Sequence, residues 1–144
     1  MMDVKYLEAM SKIRRRSPDR LRAKSLLEAA ESTMKGLGAV RLTEGTGTII
    51  FRETYESLRQ LGDARWWLLG YEPRDHEVSM EVLMAEKIPH SARLAKLDRY
   101  REIRNNANYK GYVISGAVAQ EILDFWKECG IEIMEKLRKE MLQQ

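Results

Sequence analysis

The chain has 144 residues, 44% hydrophobic and 33% charged, with a net charge of +3. That balance excludes a disordered polyelectrolyte and suits one domain, residues 1–144, large enough to close its own core. A single cysteine, Cys129, leaves no internal disulfide framework, and no apolar run nears the ~20 residues of a membrane span.

The first residues, "MMDVKYLEAM", carry acids and no apolar run, so no secretory signal is expected and a cytoplasmic setting fits. Val4, Leu7, Met10 and Ile13 recur at helical spacing and predict a helix from Asp3 to Arg15. "SPDR" then stops and restarts the chain, with Ser17 as N-cap, Pro18 in the first helical position and Asp19 in the first turn. Leu21, Leu27, Ala30, Met34 and Leu37 mark the second helix, which closes at Gly36 or Gly38. "AVRLTEGTG" is a loop. A third helix, Thr48 to Leu69, carries Leu58, Leu61 and Leu68 and ends at Gly70, with Pro73 beyond.

Asp75 caps a predicted fourth helix through Val78, Val82 and Ile88, which Pro89 cuts. Ser91 caps the fifth, which runs into an asparagine-rich stretch and Gly111. Ser115 opens the last, along Val118, Ile122, Phe125, Cys129, Ile133, Leu137 and Met141. Amphipathic helices joined by short loops predict an all-α, antiparallel up-and-down bundle of four to six helices.

Much common site chemistry is missing from the sequence. His76, His90 and Cys129 match no zinc-site spacing, and "HEVSM" lacks the second histidine of a zinc-protease helix. "GLG" and "EGTGT" fit no phosphate-binding fingerprint and read as connections. No metal and no cofactor is expected.

The informative stretch is "YREIRNNANYKGY". Leu97, Tyr100 and Ala107 line an apolar helix face, and the position that completes the line is Arg104. A guanidinium is costly to desolvate, so its place in that stripe asks for an anionic or polar partner. Arg101 and Asn108 flank it one turn away on either side, making a seam of Leu97, Arg101, Arg104 and Asn108; Tyr109 and Tyr112 follow. Planar guanidinium forks suit phosphate, amides can read a ribose or base edge, and aromatic faces stack bases. The structural alternative is a salt bridge from Arg104 to Glu53 or Glu56. Arg14 to Arg16, three consecutive residues, read as a solvated helix surface. Trp66 and Trp67 of "ARWWLLG" either anchor a partner or cover core.

Two stretches carry a resemblance: "ETYESLRQLGDARWWLLGYEPRDHEVSMEVL" and "LDRYREIRNNANYKGYVISGAVAQEILDFWKECGIEIMEKL". They resemble the HEPN domains (higher eukaryotes and prokaryotes nucleotide-binding), and the likeness covers most of the chain after Arg20. It implies a small helical bundle, usually a homodimer. Many members are metal-independent ribonuclease toxins, often paired with a minimal nucleotidyltransferase. Their motif is an Arg-Asn pair followed one turn later by a His. The Arg holds the scissile phosphate and the His moves a proton at the ribose 2′-hydroxyl.

This chain keeps the pair as Arg104 and Asn105 but puts Tyr109 where the His belongs, and the trailing Tyr is displaced to Tyr112. A phenol is a poor general base at neutral pH. The expectation is therefore an RNA- or nucleotide-binding protein, one form of it being a toxin–antitoxin component with a degenerate ribonuclease site. Binding falls to Arg101, Arg104, Asn105, Asn108, Tyr109 and Tyr112, and Arg104 with Tyr109 carry any residual catalysis. The alternatives are a weak metal-independent ribonuclease and an interaction module for a nucleotidyltransferase that modifies Tyr109 or Tyr112.

Overall fold

In the computed structural model, which describes residues 2–143, the first helix is shorter than its sequence pattern implies. Asp3 accepts the Tyr6 N–H at 3.1 Å and starts α1 (Val4–Ala9). Ser11, at φ 57°, then turns the chain into β1 (Ile13–Arg15), which corrects the predicted helix to Arg15. β1 pairs antiparallel with β2 (Tyr71–Pro73) in the register Ile13↔Pro73, Arg14↔Glu72, Arg15↔Tyr71. Ile13 still points inward, buried with Leu7, Trp66, Val78 and Val82. "KIRRR" has good helix propensity, and only the distant partner strand overrides it.

Asp19, not Ser17, caps α2 (Arg20–Leu37), accepting the Arg22 N–H at 2.9 Å. Its buried face is Ala23, Leu27, Ala30 and Leu37, whereas Leu21, expected inward, is exposed.

The 23-residue α3 (Gly47–Leu69) is the axis of the bundle, packed by α2, α4 and α6. It stops at Gly70, whose φ of 89° suits a residue without Cβ. At Gly62 a Cβ would lie 2.2 Å from the Ser79 carbonyl, so glycine lets the backbone of α4 (His76–Met84) press against α3. Asp75 caps α4 as predicted, accepting the Glu77 N–H at 2.8 Å, but the helix ends at Met84 rather than Ile88. Ile88 nonetheless reaches the core from the following loop.

Ser91 begins a 3₁₀ turn (Ser91–Ala95) with no side-chain cap, and α5 (Lys96–Lys110) follows, ending at Gly111 with φ 71°. Ser115 caps α6 (Gly116–Phe125), and a π-helical turn (Trp126–Gly130) joins it to α7 (Ile131–Leu142). The long final helix of the sequence pattern is thus one rod with a widened turn.

The architecture is an all-α bundle with one small two-stranded ribbon. Its core runs from Phe51, Tyr55, Leu58 and Leu61 of α3 to Tyr100 of α5 and Phe125 of α6. Tyr100 meets Phe51 and Phe125 edge-on, at centroid distances of 6.1 and 5.4 Å, a favoured aromatic geometry. Trp66 and Trp67 are both buried. Trp66 donates its indole N–H to the Val78 carbonyl at 2.9 Å, and Arg22 stacks on Trp67 at 4.3 Å. "ARWWLLG" therefore offers no exposed tryptophan anchor. Among the described residues, no helix is long and apolar enough to cross a membrane.

Candidate functional site

α5 lies along α3 and α4, and its Arg104 settles above the ring of Tyr55 on α3, 5.7 Å from guanidinium carbon to centroid. Such a contact is worth about 0.5–1 kcal/mol where solvent reaches it. The salt bridge to Glu53 or Glu56 does not form. Glu56 is held by Arg59 in a fork whose Nε–Oε2 distance is 3.0 Å, and among the described residues no carboxylate lies within 4.0 Å of the Arg104 guanidinium.

One turn on, Asn108 accepts a 3.0 Å hydrogen bond from Nε of Arg52, one turn earlier on α3. Arg52 likewise has no carboxylate partner among the described residues, so two unneutralised guanidiniums stand on opposite sides of the seam. One is steadied by an amide and the other by a phenol ring. One turn the other way, Arg101 is engaged with Asp98 at 3.3 Å and Glu77 at 3.8 Å. The seam is cationic toward Arg52 and close to neutral toward Arg101.

The phenol beneath reports this field. Burial pushes Tyr55 up to about 12, while Arg104, Arg101 and Arg59 pull it down and Glu77 pushes it up. Three guanidiniums and one carboxylate thus lie within electrostatic range of a hydroxyl on the seam floor. At the α4 end, burial raises Asp63 above the usual carboxylate range, against a bond from Ser79 and the Arg59 charge. His76, exposed at the start of α4, is near enough to Asp63 to oppose that rise. His90 is elsewhere, its Nδ1 3.1 Å from Glu132.

The residues singled out in the sequence fall on two sides of α5. Arg101, Arg104 and Asn108 share the stripe facing α3 and α4. Tyr109 comes five residues after Arg104, about 140° round the helix, and is 80% exposed. Asn105 is half-buried beside the stripe. Beyond the Gly111 turn, Tyr112 lines a shallow 280 Å³ depression with Arg99, Ile103 and Val118, on the α6 side. The structure therefore joins Arg101, Arg104 and Asn108 to Arg52 and Tyr55, and sets Tyr109 and Tyr112 apart.

Arg52 escaped sequence reasoning because its link to Asn108 spans 56 positions, which no local periodicity records. Among the described residues, no group of three or more His, Cys, Asp or Glu side chains is placed to hold a metal ion. Cys129 is buried, and burial raises its thiol to about 11, which makes it a poor nucleophile. Comparison of the chain with family models, curated proteins and solved structures returns no match.

Proposed function

We propose that the protein is a HEPN-type RNA- or nucleotide-binding protein that takes a phosphate between Arg52 and Arg104. The observation that carries this reading is a guanidinium on each side of the α3–α5 seam, Arg52 bonded to Asn108 and Arg104 over Tyr55, without a carboxylate on either among the described residues. A phosphate brings the charge they lack and several acceptor oxygens for their planar forks. Arg104, the first of the pair retained in the family resemblance, lies at this seam, with half-buried Asn105 next to it in the chain. In this reading the protein acts in the cytoplasm as a homodimer and as one half of a toxin–antitoxin pair. Its ribonuclease site is degenerate, because Tyr109 stands where the family motif has a His.

The test is equilibrium binding of uridine monophosphate and of short RNA at low salt. Arg104→Ala and Arg52→Ala are each expected to weaken binding about tenfold, within the range of charge-assisted hydrogen bonds. Each should also reduce the slope of log affinity against log salt by about 0.7 for a single strand. Binding that is absent in the unaltered protein, or indifferent to both substitutions, ends this reading.

A second reading has its own support. Tyr109 and Tyr112 are 80% and 57% exposed, as side chains modified by a nucleotidyltransferase partner must be. Incubation with such an enzyme and labelled ATP, followed by peptide mapping, tests it. Label on neither tyrosine removes it.

A further inference from the structure

The ribbon end of the molecule carries a second pair of uncommitted guanidiniums. Strand alternation puts Arg14, Glu72 and Arg16 on one face, and Arg74, next after β2, continues it. Arg14 and Arg74 are then diagonal neighbours across the ribbon. The nearby carboxylates already have partners: Glu8 with Arg15 at 3.3 Å on the wall of the same cleft, Glu72 with Arg16 at 3.3 Å, and Asp75 with the α4 backbone. Arg14 and Arg74 are left exposed, with no ion pair among the described residues, on a cleft of about 560 Å³ that Ser11 and Ile13 help to wall.

From this cleft the chain leads toward the α3–α5 seam through Arg74, Glu77 and Arg101. Arg74 precedes Glu77 by three residues, a reach of at most about 11 Å, and Glu77 lies 3.8 Å from Arg101. From Arg101 to Asn108 is seven residues of α5, about 10 Å. Two cationic stations, Arg14–Arg74 and Arg52–Arg104, thus lie within about 40 Å of each other once the Glu77 and Arg101 side chains are included, with a charge-balanced stretch at Arg101 between them. That separation falls inside the ~4–16 nucleotides covered by single-strand binding sites.

We propose that one single-stranded nucleic acid bridges both stations, its phosphates held by Arg52 and Arg104 at one end and by Arg14 and Arg74 at the other. This rests on the seam reading above and adds to it that the natural ligand is an oligonucleotide rather than a mononucleotide. Tyr109 directly follows Asn108 on the other side of α5, and its exposed ring offers a stacking face to a base that leaves the seam round the helix. A strand that reaches both stations gains effective concentration at the second.

The experiment titrates the full chain with uridine monophosphate and with oligouridylates of increasing length, by competition at fixed low salt. Affinity is expected to climb on the order of 100-fold once the strand spans both stations. The double substitution Arg14→Ala with Arg74→Ala should abolish that climb, cut the salt slope by about 1.4, and leave in place the part of monophosphate binding that Arg104→Ala removes. Both side chains are exposed, so the fold should persist, which circular dichroism checks. A reversed-charge pair, Arg14→Glu with Arg74→Glu, should push long-strand affinity lower still.

Length dependence that survives these substitutions overturns the bridge while leaving the seam reading intact. Loss of monophosphate binding in Arg104→Ala, by contrast, reports on the seam alone. Equal competition by polyglutamate or by phosphatidylserine vesicles overturns the assignment to nucleic acid.

Discussion

Toward the C-terminal end of α3, Arg65 is 9% exposed and grips Glu86 through two bonds of 2.7 and 2.8 Å, with Glu140 on its other nitrogen. Lys136 adds a second cation to Glu86 at 3.3 Å. Further toward the N-terminal end of the same helix, Arg104 of α5 rests on Tyr55 and meets no carboxylate among the described residues. Both are arginines against the core side of a helix. In one region the fold supplies the counter-charge, and burial, which lowers the Arg65 pKa, is outweighed by bonds from Glu86 and Glu140. In the other it supplies only an aromatic face. The lesson is that an arginine in an apolar stripe is structural or functional according to whether the protein closes the charge itself.

The largest expected effect follows from removing the closed charge. Arg65→Ala leaves Glu86, 7% exposed, without its principal partner, and should cost about 3–5 kcal/mol of stability in urea unfolding. Replacing both partners, Arg65→Met with Glu86→Leu, should recover most of that loss, because a well-packed apolar pair substitutes for a buried ion pair. Arg104→Ala should change stability by no more than about 1 kcal/mol. If it destabilises as much as Arg65→Ala, the contrast fails and Arg104 is scaffold.

The phenol under Arg104 sharpens the same contrast in the alkaline range. Burial lifts Tyr55 from 10.0 to about 12, so the folded state keeps a proton that the unfolded chain gives up first. Stability from this group is intact below pH 10.0 and declines as pH rises toward about 12, by on the order of 2 kcal/mol in all. Tyr55→Phe should flatten that part of the profile. Arg104→Ala removes a charge that pulls the phenol down, so spectrophotometric titration should show Tyr55 ionising at higher pH. A bound phosphate should act in the same direction. A titration unmoved by Arg104→Ala would place the guanidinium away from the hydroxyl.

What could be read from the chain divides along a physical line. The apolar stripe of the last helix, the Ser115 and Asp75 caps and the αL glycines at Gly70 and Gly111 all follow from contacts within a few residues. The unusual place of Arg104 was legible for the same reason. β1 was not, since its partner strand lies far along the chain and its own residues favour helix. Ser17 lost the cap to Asp19 because either residue can accept the N-terminal N–H groups, and only tertiary placement decides between them. Arg52 and Arg74 became visible only when three separate segments met. Arg14 to Arg16 changed meaning with their secondary structure: around a helix they point three ways, but on a strand Arg14 and Arg16 share a face while Arg15 turns to Tyr71.

The smallest effect concerns a group that belongs to neither region. The Tyr100 hydroxyl is buried like Arg65 yet unpartnered like Arg104, for it makes no well-formed hydrogen bond although Glu121 is near. Burial, with Glu121 adding to it, drives this phenol upward. Glu121 itself is held below its usual range chiefly by Arg99, through bonds of 3.0 and 3.1 Å. A buried hydroxyl without a partner gives up hydration and gains little in return. Tyr100→Phe keeps the edge-on packing against Phe51 and Phe125 and removes only that oxygen. The urea midpoint should therefore hold or rise, by no more than about 1 kcal/mol in stability. A fall of that size would mean that the hydroxyl does bond to Glu121 in solution. The fold would then have closed this polar group as it closed Arg65, and Arg104 would be left more distinct still.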